Sequence, residues 1–383
     1  MAPLTATLAA SAAVGLGLGL ARVGRERLAA RQRARARRLG MLPGEPLEAG
    51  LRRMATEQLD LAIEQLSDRN GAGPPEDAVH ETRKALKRLR TMLRVLEDAL
   101  GEEAVAAETT AVREVASQLA GARDAEVMLA TLDALVDRHP RKLDRAGVRR
   151  LRGWLVAERE RARHQSVGNP IRVALAIADL HACRLRIQAL EIPTGNERKL
   201  LEPGLGRIYG QGRRRCKRAR ACRGERERTL VMHEWRKRVK DLRYLSEMLE
   251  RRAPPGAFGL TLPASALWSP PTRVNGASRP LRRIARRADE LGEVLGEDHD
   301  LAVLAELTRR SGRGAGPGPR LGRRPRRALL KAIAKRRRKL RRRAMKDGKR
   351  LYGDPTKRFV RRTEKTFARA GAAAMPAVQP GGR

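Results

Sequence analysis

Apolar residues recur along this chain at intervals of three and four, in segments separated by short runs rich in Gly, Pro and Asn. That period predicts amphipathic helices over residues 47–66, 79–100, 119–135, 144–164, 171–190, 205–221, 232–249, 281–307, 326–349 and 363–369. The breaks are explicit: Asn70-Gly71-Ala72-Gly73-Pro74-Pro75, Gly101, Gly168-Asn169-Pro170 and Ile192-Pro193-Thr194-Gly195-Asn196. Glu76 and Asp77 place acids in the first turn of the 79–100 helix, where the helix dipole favours them. No segment reads as a strand, so the expected fold is all-α, a helical bundle with Trp154 and Trp235 turned inward.

Two of these helices carry one pattern. On the first, VHETRKALKRLRTMLRVLEDAL, the residues Arg83, Lys84, Lys87 and Arg94 fall within about 60° of His80, while Val79, Leu86, Leu89, Leu93, Leu96 and Leu100 gather on the other side. On the second, MHEWRKRVKDLRYLSEML, the residues His233, Arg236, Lys237, Lys240 and Arg243 repeat His80, Arg83, Lys84, Lys87 and Arg90 at a constant offset of 153. Met232, Val239, Leu242 and Leu249 form its apolar back. A further pair follows in the same order: Leu119-Ala120-Gly121-Ala122-Arg123-Asp124 resembles Leu295-Gly296-Glu297-Asp298-His299-Asp300. The expected architecture is two related bundles from an internal duplication, with both basic faces turned toward a shared groove.

Composition sharpens the chemistry. Among 383 residues, 84 Lys and Arg face 43 Asp and Glu, a formal net charge of +41 that repels itself when compact and favours a polyanionic partner. Nucleic acid, an acidic membrane surface and inorganic polyphosphate are the candidates. A fixed row of Arg and Lys suits phosphates, because Arg makes bidentate contacts and Lys supplies adaptable point charges. Three Phe, three Tyr and three Trp provide few stacking platforms for single strands, and no zinc-finger spacing occurs. Residues 3–20 are weakly apolar and followed by an Arg-rich run, so membrane contact there is not favoured. Cys183, Cys216 and Cys222 make no disulfide framework, which suits a reducing compartment.

Catalytic chemistry is harder to assemble. The six histidines show no HExxH pair, there is no P-loop, and cations flank His80 and His233 where a metal site needs carboxylates. His139, His164 and His181 read as helix-surface or core residues. Asp124 and Asp300 form the best acidic pair, read as capping a helix or bridging to Arg or Lys rather than as catalytic groups. No catalytic residue, metal site or cofactor is expected.

The pattern His-x-x-Arg-Lys-x-x-Lys-x-x-Arg at 80–90 and 233–243 resembles the signature of the CHAD family (conserved histidine α-helical domain). Arg123-Asp124 followed by Val127, and His299-Asp300 followed by Val303, resemble the family's second motif, His299 being a departure from it. The resemblance covers residues 43–370, in halves of 43–192 and 197–370, between an extension over 1–42 and a disordered tail over 371–383. It implies two four-helix-like bundles related by pseudo-twofold symmetry around a basic groove that binds inorganic polyphosphate. It further implies phosphate contacts from His80, Arg83, Lys84, Lys87 and Arg90, with His233, Arg236, Lys237, Lys240 and Arg243 opposite, and weaker ones from Arg94, Arg214, Arg215 and Tyr244. Some relatives carry a triphosphate-tunnel domain with an ExExK motif; here Glu225-Arg226-Glu227 is followed by Arg228-Thr229. The expectation is a non-catalytic cytoplasmic protein associated with polyphosphate granules, with nonspecific nucleic-acid binding as the alternative.

Overall fold

The computed structural model describes residues 40–42, 44–67, 76–119, 121–165, 168–250, 278–311 and 319–372. The apolar segment 3–20, the break over 70–75, residues 251–277 and 312–318, and the tail from 373 lie outside them. Among the described residues the chain forms eleven helices and no strand. They are α1 (Leu47–Leu66), α2 (Glu76–Leu100), α3 (Glu102–Gln118), α4 (Gly121–Asp137), α5 (Arg145–Gln165), α6 (Pro170–Ala189), α7 (Glu197–Ala221), α8 (Glu225–Met248), α9 (Arg279–Arg310), α10 (Arg323–Leu351) and α11 (Thr356–Ala372). No described helix is long and apolar enough to cross a membrane.

The helices pack in two series. In the first, α1 lies against α2 and α6, and α3 against α2 and α6, while α4 and α5 form a hairpin whose first helix touches α2. In the second, α7 lies against α8 and α11, and α9 against α8, α10 and α11. The series meet where α2 packs on α7 and α8, and where the α4–α5 hairpin reaches α9 and α10. Met41 adds a backbone bond across this division, its N–H donating to the Met248 carbonyl at 3.2 Å.

Local chemistry explains the helix ends. The Asn169 side chain accepts from the Ile171 and Arg172 N–H groups, with Pro170 at the first helical position of α6. Asn196 caps α7 by accepting from the Lys199 N–H. Gly101, at φ +88°, turns α2 directly into α3.

Three expectations are corrected. Helix α3 is absent from the predicted elements because its apolar positions are sparse: Val105, Val112 and Val115 are buried among Ala, Glu and Thr. Helix α7 starts eight residues before 205, with Pro203 inside it, since losing one backbone donor in the second turn is tolerated where both flanking turns are packed. The motif at 295–300 lies within continuous α9, whereas its counterpart at 119–124 straddles the α3–α4 break.

The core places the basic faces. Trp235 is fully buried beneath α8, and Leu86, Leu89 and Leu93 are buried beneath α2. Tyr209 stacks on Phe359 with ring centroids 3.8 Å apart, joining α7 to α11. The approach of α7 to α2 depends on Gly204, where a Cβ would lie 2.4 Å from the Val95 carbonyl oxygen. Gly204→Ala is therefore expected to cost about 1–3 kcal/mol through overpacking, read as a lower denaturation midpoint. An unchanged midpoint would mean that this helix pair separates without penalty.

Candidate functional site

The basic faces of α2 and α8 meet in one cavity of about 1010 Å³, closed by side chains from α4, α5 and α9. Helix α2 contributes His80, Arg83, Lys87, Arg90 and Arg94, and α8 contributes His233, Arg236, Lys237, Lys240 and Tyr244. Ten of the fourteen candidate residues thus share a single cleft. The other four lie outside it. Lys84 pairs with Glu81 at 2.8 Å, and Arg243 is held by Glu247 and Asp289. Arg214 and Arg215 stand on α7, none of whose side chains lines the cavity.

Carboxylates fix several of the cations. Asp241 of α8 accepts from Arg94 at 2.9 Å and from Thr91 at 3.3 Å, tying α2 to α8. It also pairs with Arg238 at 3.2 Å. Asp124 of α4 pairs with Arg83 at 3.2 Å. Lys87, Arg90, Arg236 and Lys240 line the cavity without an ion pair among the described residues. Burial raises the pKa of Asp300, against the opposing pull of Arg236 and Lys240.

Like charges and partial burial act together on the matched lysines. The Lys87 ammonium opens onto the lumen, but the surrounding walls remove much of its hydration, and Lys240 is the strongest of the cations repelling it. Its pKa is pushed down to about 7. Lys240 is pushed down to about 8, by burial first and then by Arg236. Each lysine is costly to charge in the free protein, and a bound anion would relieve that cost.

His233 meets an unanticipated partner. Its Nδ1 lies 3.0 Å from Nδ1 of His299, the rings 4.2 Å apart, so one nitrogen donates and the other accepts. Burial, followed by His233 itself, pushes His299 down to about 4. Burial and Lys237 lower His233. Both shifts favour the neutral rings.

Other lining residues also escaped the sequence reading. Arg238 and Asp241 lie off the repeated register, and Glu293, Glu306 and Arg310 come from a helix known mainly for its apolar period. Trp154, expected inward, is half-buried and lines the cavity from α5. Tyr244 is a support more than a contact: it is 5 % exposed, with the Arg88 and Arg243 guanidiniums 5.7 and 5.8 Å from its ring centre. Among the described residues, no cluster of three or more His, Cys, Asp or Glu side chains is arranged to hold a metal ion.

The family model of the CHAD domain matches residues 53–259. None of the curated proteins compared with the chain matches it by sequence. Among solved structures, PptA from Streptomyces chartreusis is 16% identical with a TM-score of 0.51, the match covering 81% of this chain and 100% of that one. The CHAD domain from the plant Ricinus communis is 16% identical with a TM-score of 0.47, covering 86% and 94%.

Proposed function

We propose, for a chain that belongs to the CHAD domain family, that its central groove binds inorganic polyphosphate without turning it over. The observation that supports this reading most is the meeting of two like-ordered cationic registers in one cleft, with Lys87 and Lys240 held there unpaired. A protein with no anion to bind gains nothing from confining those charges together. A thin, unbranched chain of phosphates can lie between two helices and be contacted from both.

The lining is less suited to single-stranded nucleic acid. Guanidiniums cover Tyr244, which leaves Trp154 as the one Phe, Tyr or Trp side chain among the described lining residues able to meet a base, and such binding usually uses several. The non-catalytic reading rests on the paired state of Asp124 and Asp241 and the hydrogen bond that ties His233 to His299. Release of orthophosphate from tripolyphosphate with a divalent metal, lost in His80→Ala, would overturn it. In the cell this activity would place the protein in the cytoplasm, at polyphosphate granules.

The test is the pH dependence of affinity. A bound polyanion restores the lysine pKa values toward their ordinary level, so binding takes up protons wherever pH lies between the free and bound values. The benefit is complete below the free values of about 7 and 8 and fades as pH rises above them. Affinity for long-chain polyphosphate should therefore fall by about one to three orders of magnitude between about pH 6.5 and pH 9. Calorimetry near pH 8 should show net proton uptake. Release of protons, or a flat profile, would remove the two lysines from the binding site.

A further inference from the structure

The geometry points to a second polyanion site, on the outer face of α10, that takes the phosphodiester backbone of duplex nucleic acid. It does not depend on the polyphosphate reading, because it involves another surface.

Helix α10 carries Arg327, Lys331, Lys335, Arg338, Arg342 and Lys346 at spacings of 4, 4, 3, 4 and 4. At 100° per residue these six fall within an arc of about 100°, over about 28 Å of axis. Arg324 and Lys349 prolong the row at its ends. All eight are exposed, and none makes an ion pair among the described residues. The helix's one acid, Asp347, lies off the row and pairs with Arg343 at 3.4 Å. Beside the middle of the row a cavity of about 790 Å³ adds Arg220 and Arg228. Its carboxylate, Glu225, is already bound to Arg337 and Arg341.

The row is held rigid from below. Arg337 and Arg341, 5 % and 8 % exposed, both bond to buried Asp298 on α9. The result is a straight, outward-facing line of positive charge with no carboxylate in it, unlike the groove, where acids interleave with the bases.

Shape decides between polyanions. A flexible thread held from one side only must surrender its conformational freedom without enclosure. A duplex is already stiff over about 150 base pairs and carries one charge per about 1.7 Å of axis, so a straight cationic row meets it at little cost in order. The row presents Arg and Lys at regular spacing along the helix, and phosphates offer matching charge along the whole duplex, so the proposed contact is to the backbone.

The test uses the full chain and a 30-base-pair DNA duplex of arbitrary sequence. The variant Lys331→Gln/Lys335→Gln/Arg338→Gln/Arg342→Gln should lose about 100-fold in duplex affinity, and its log–log salt slope should fall by about 3–4 units. An equal change of charge spread over the exposed residues Lys142, Arg172, Lys199 and Arg283 should cost less than about 3-fold, which separates a local site from bulk charge. Duplex affinity should survive Lys87→Gln/Lys240→Gln. Equal losses in the α10 and scattered variants would overturn the site. So would a loss confined to the groove variant, or an α10 variant that keeps duplex affinity and loses polyphosphate stoichiometry.

Discussion

Changing Lys87 and Lys240 together to glutamate is expected to lower polyphosphate affinity by about 1000-fold while leaving helix content intact. Each lysine is unpaired in the free protein and lies where the two registers meet. A charge-assisted contact contributes about 1.5–3 kcal/mol, so losing two removes about 4 kcal/mol, or about three powers of ten, before the new repulsion is counted. Titration of labelled long-chain polyphosphate reads the loss, and circular dichroism reads the helix content. Retained affinity would move the site elsewhere, the row on α10 being the first place to look.

The same positions predict an opposite effect on the empty protein. Because folding lowers the lysine pKa values, the folded state binds fewer protons than the unfolded chain between about pH 7 and the ordinary lysine value of about 10.4. Stability of the free protein should therefore rise with pH across that window. Neutral Lys87→Met/Lys240→Met should raise the melting temperature at neutral pH while weakening binding. A variant that weakens both would mean that the lysines are structural supports.

The repeated register was legible in the sequence because both sides of it are periodic. Polar positions fix the order of charges, and the apolar backs, with Trp235 and Leu86 fully buried, fix which way each helix faces. From that alone His80 and His233 could be expected in one cleft, and they line one. What could not be read is which cations remain unpaired. Arg83 and Arg236 hold matching places, yet Arg83 meets Asp124 and Arg236 makes no ion pair among the described residues, because the loop and break before α4 have no counterpart within α9. Arg214 and Arg215 look like groove residues on charge alone, but charge says nothing about which way α7 packs. His299 differs from the residue expected before Asp300, and pairing with His233 depends on α9 crossing α8, a tertiary fact.

Asp298 makes the same point about motifs, since the sequence drew attention to Asp300 two residues on. Asp298 is 2 % exposed and accepts from Arg337 at 3.0 Å and Arg341 at 3.1 Å, each itself buried. Asp298→Ala is expected to destabilise the protein by about 3–5 kcal/mol, because it removes the only buried carboxylate between two buried guanidiniums and leaves them to the exposed Glu225. Glu225 bonds to the same two arginines, but its side chain is 61% exposed, so Glu225→Ala should cost no more than about 1 kcal/mol. A buried ion network differs from apolar packing in what happens when every member is replaced. Asp298→Leu/Arg337→Met/Arg341→Leu should recover most of the stability lost in Asp298→Ala, since the one charge then left without its partners, Glu225, is exposed to water. Denaturant midpoints for the three variants separate the cases. A loss below about 1 kcal/mol in Asp298→Ala would mean that water reaches the arginines, and α10 would then be held to α9 by Leu329, Ile333 and Leu340 rather than by charge.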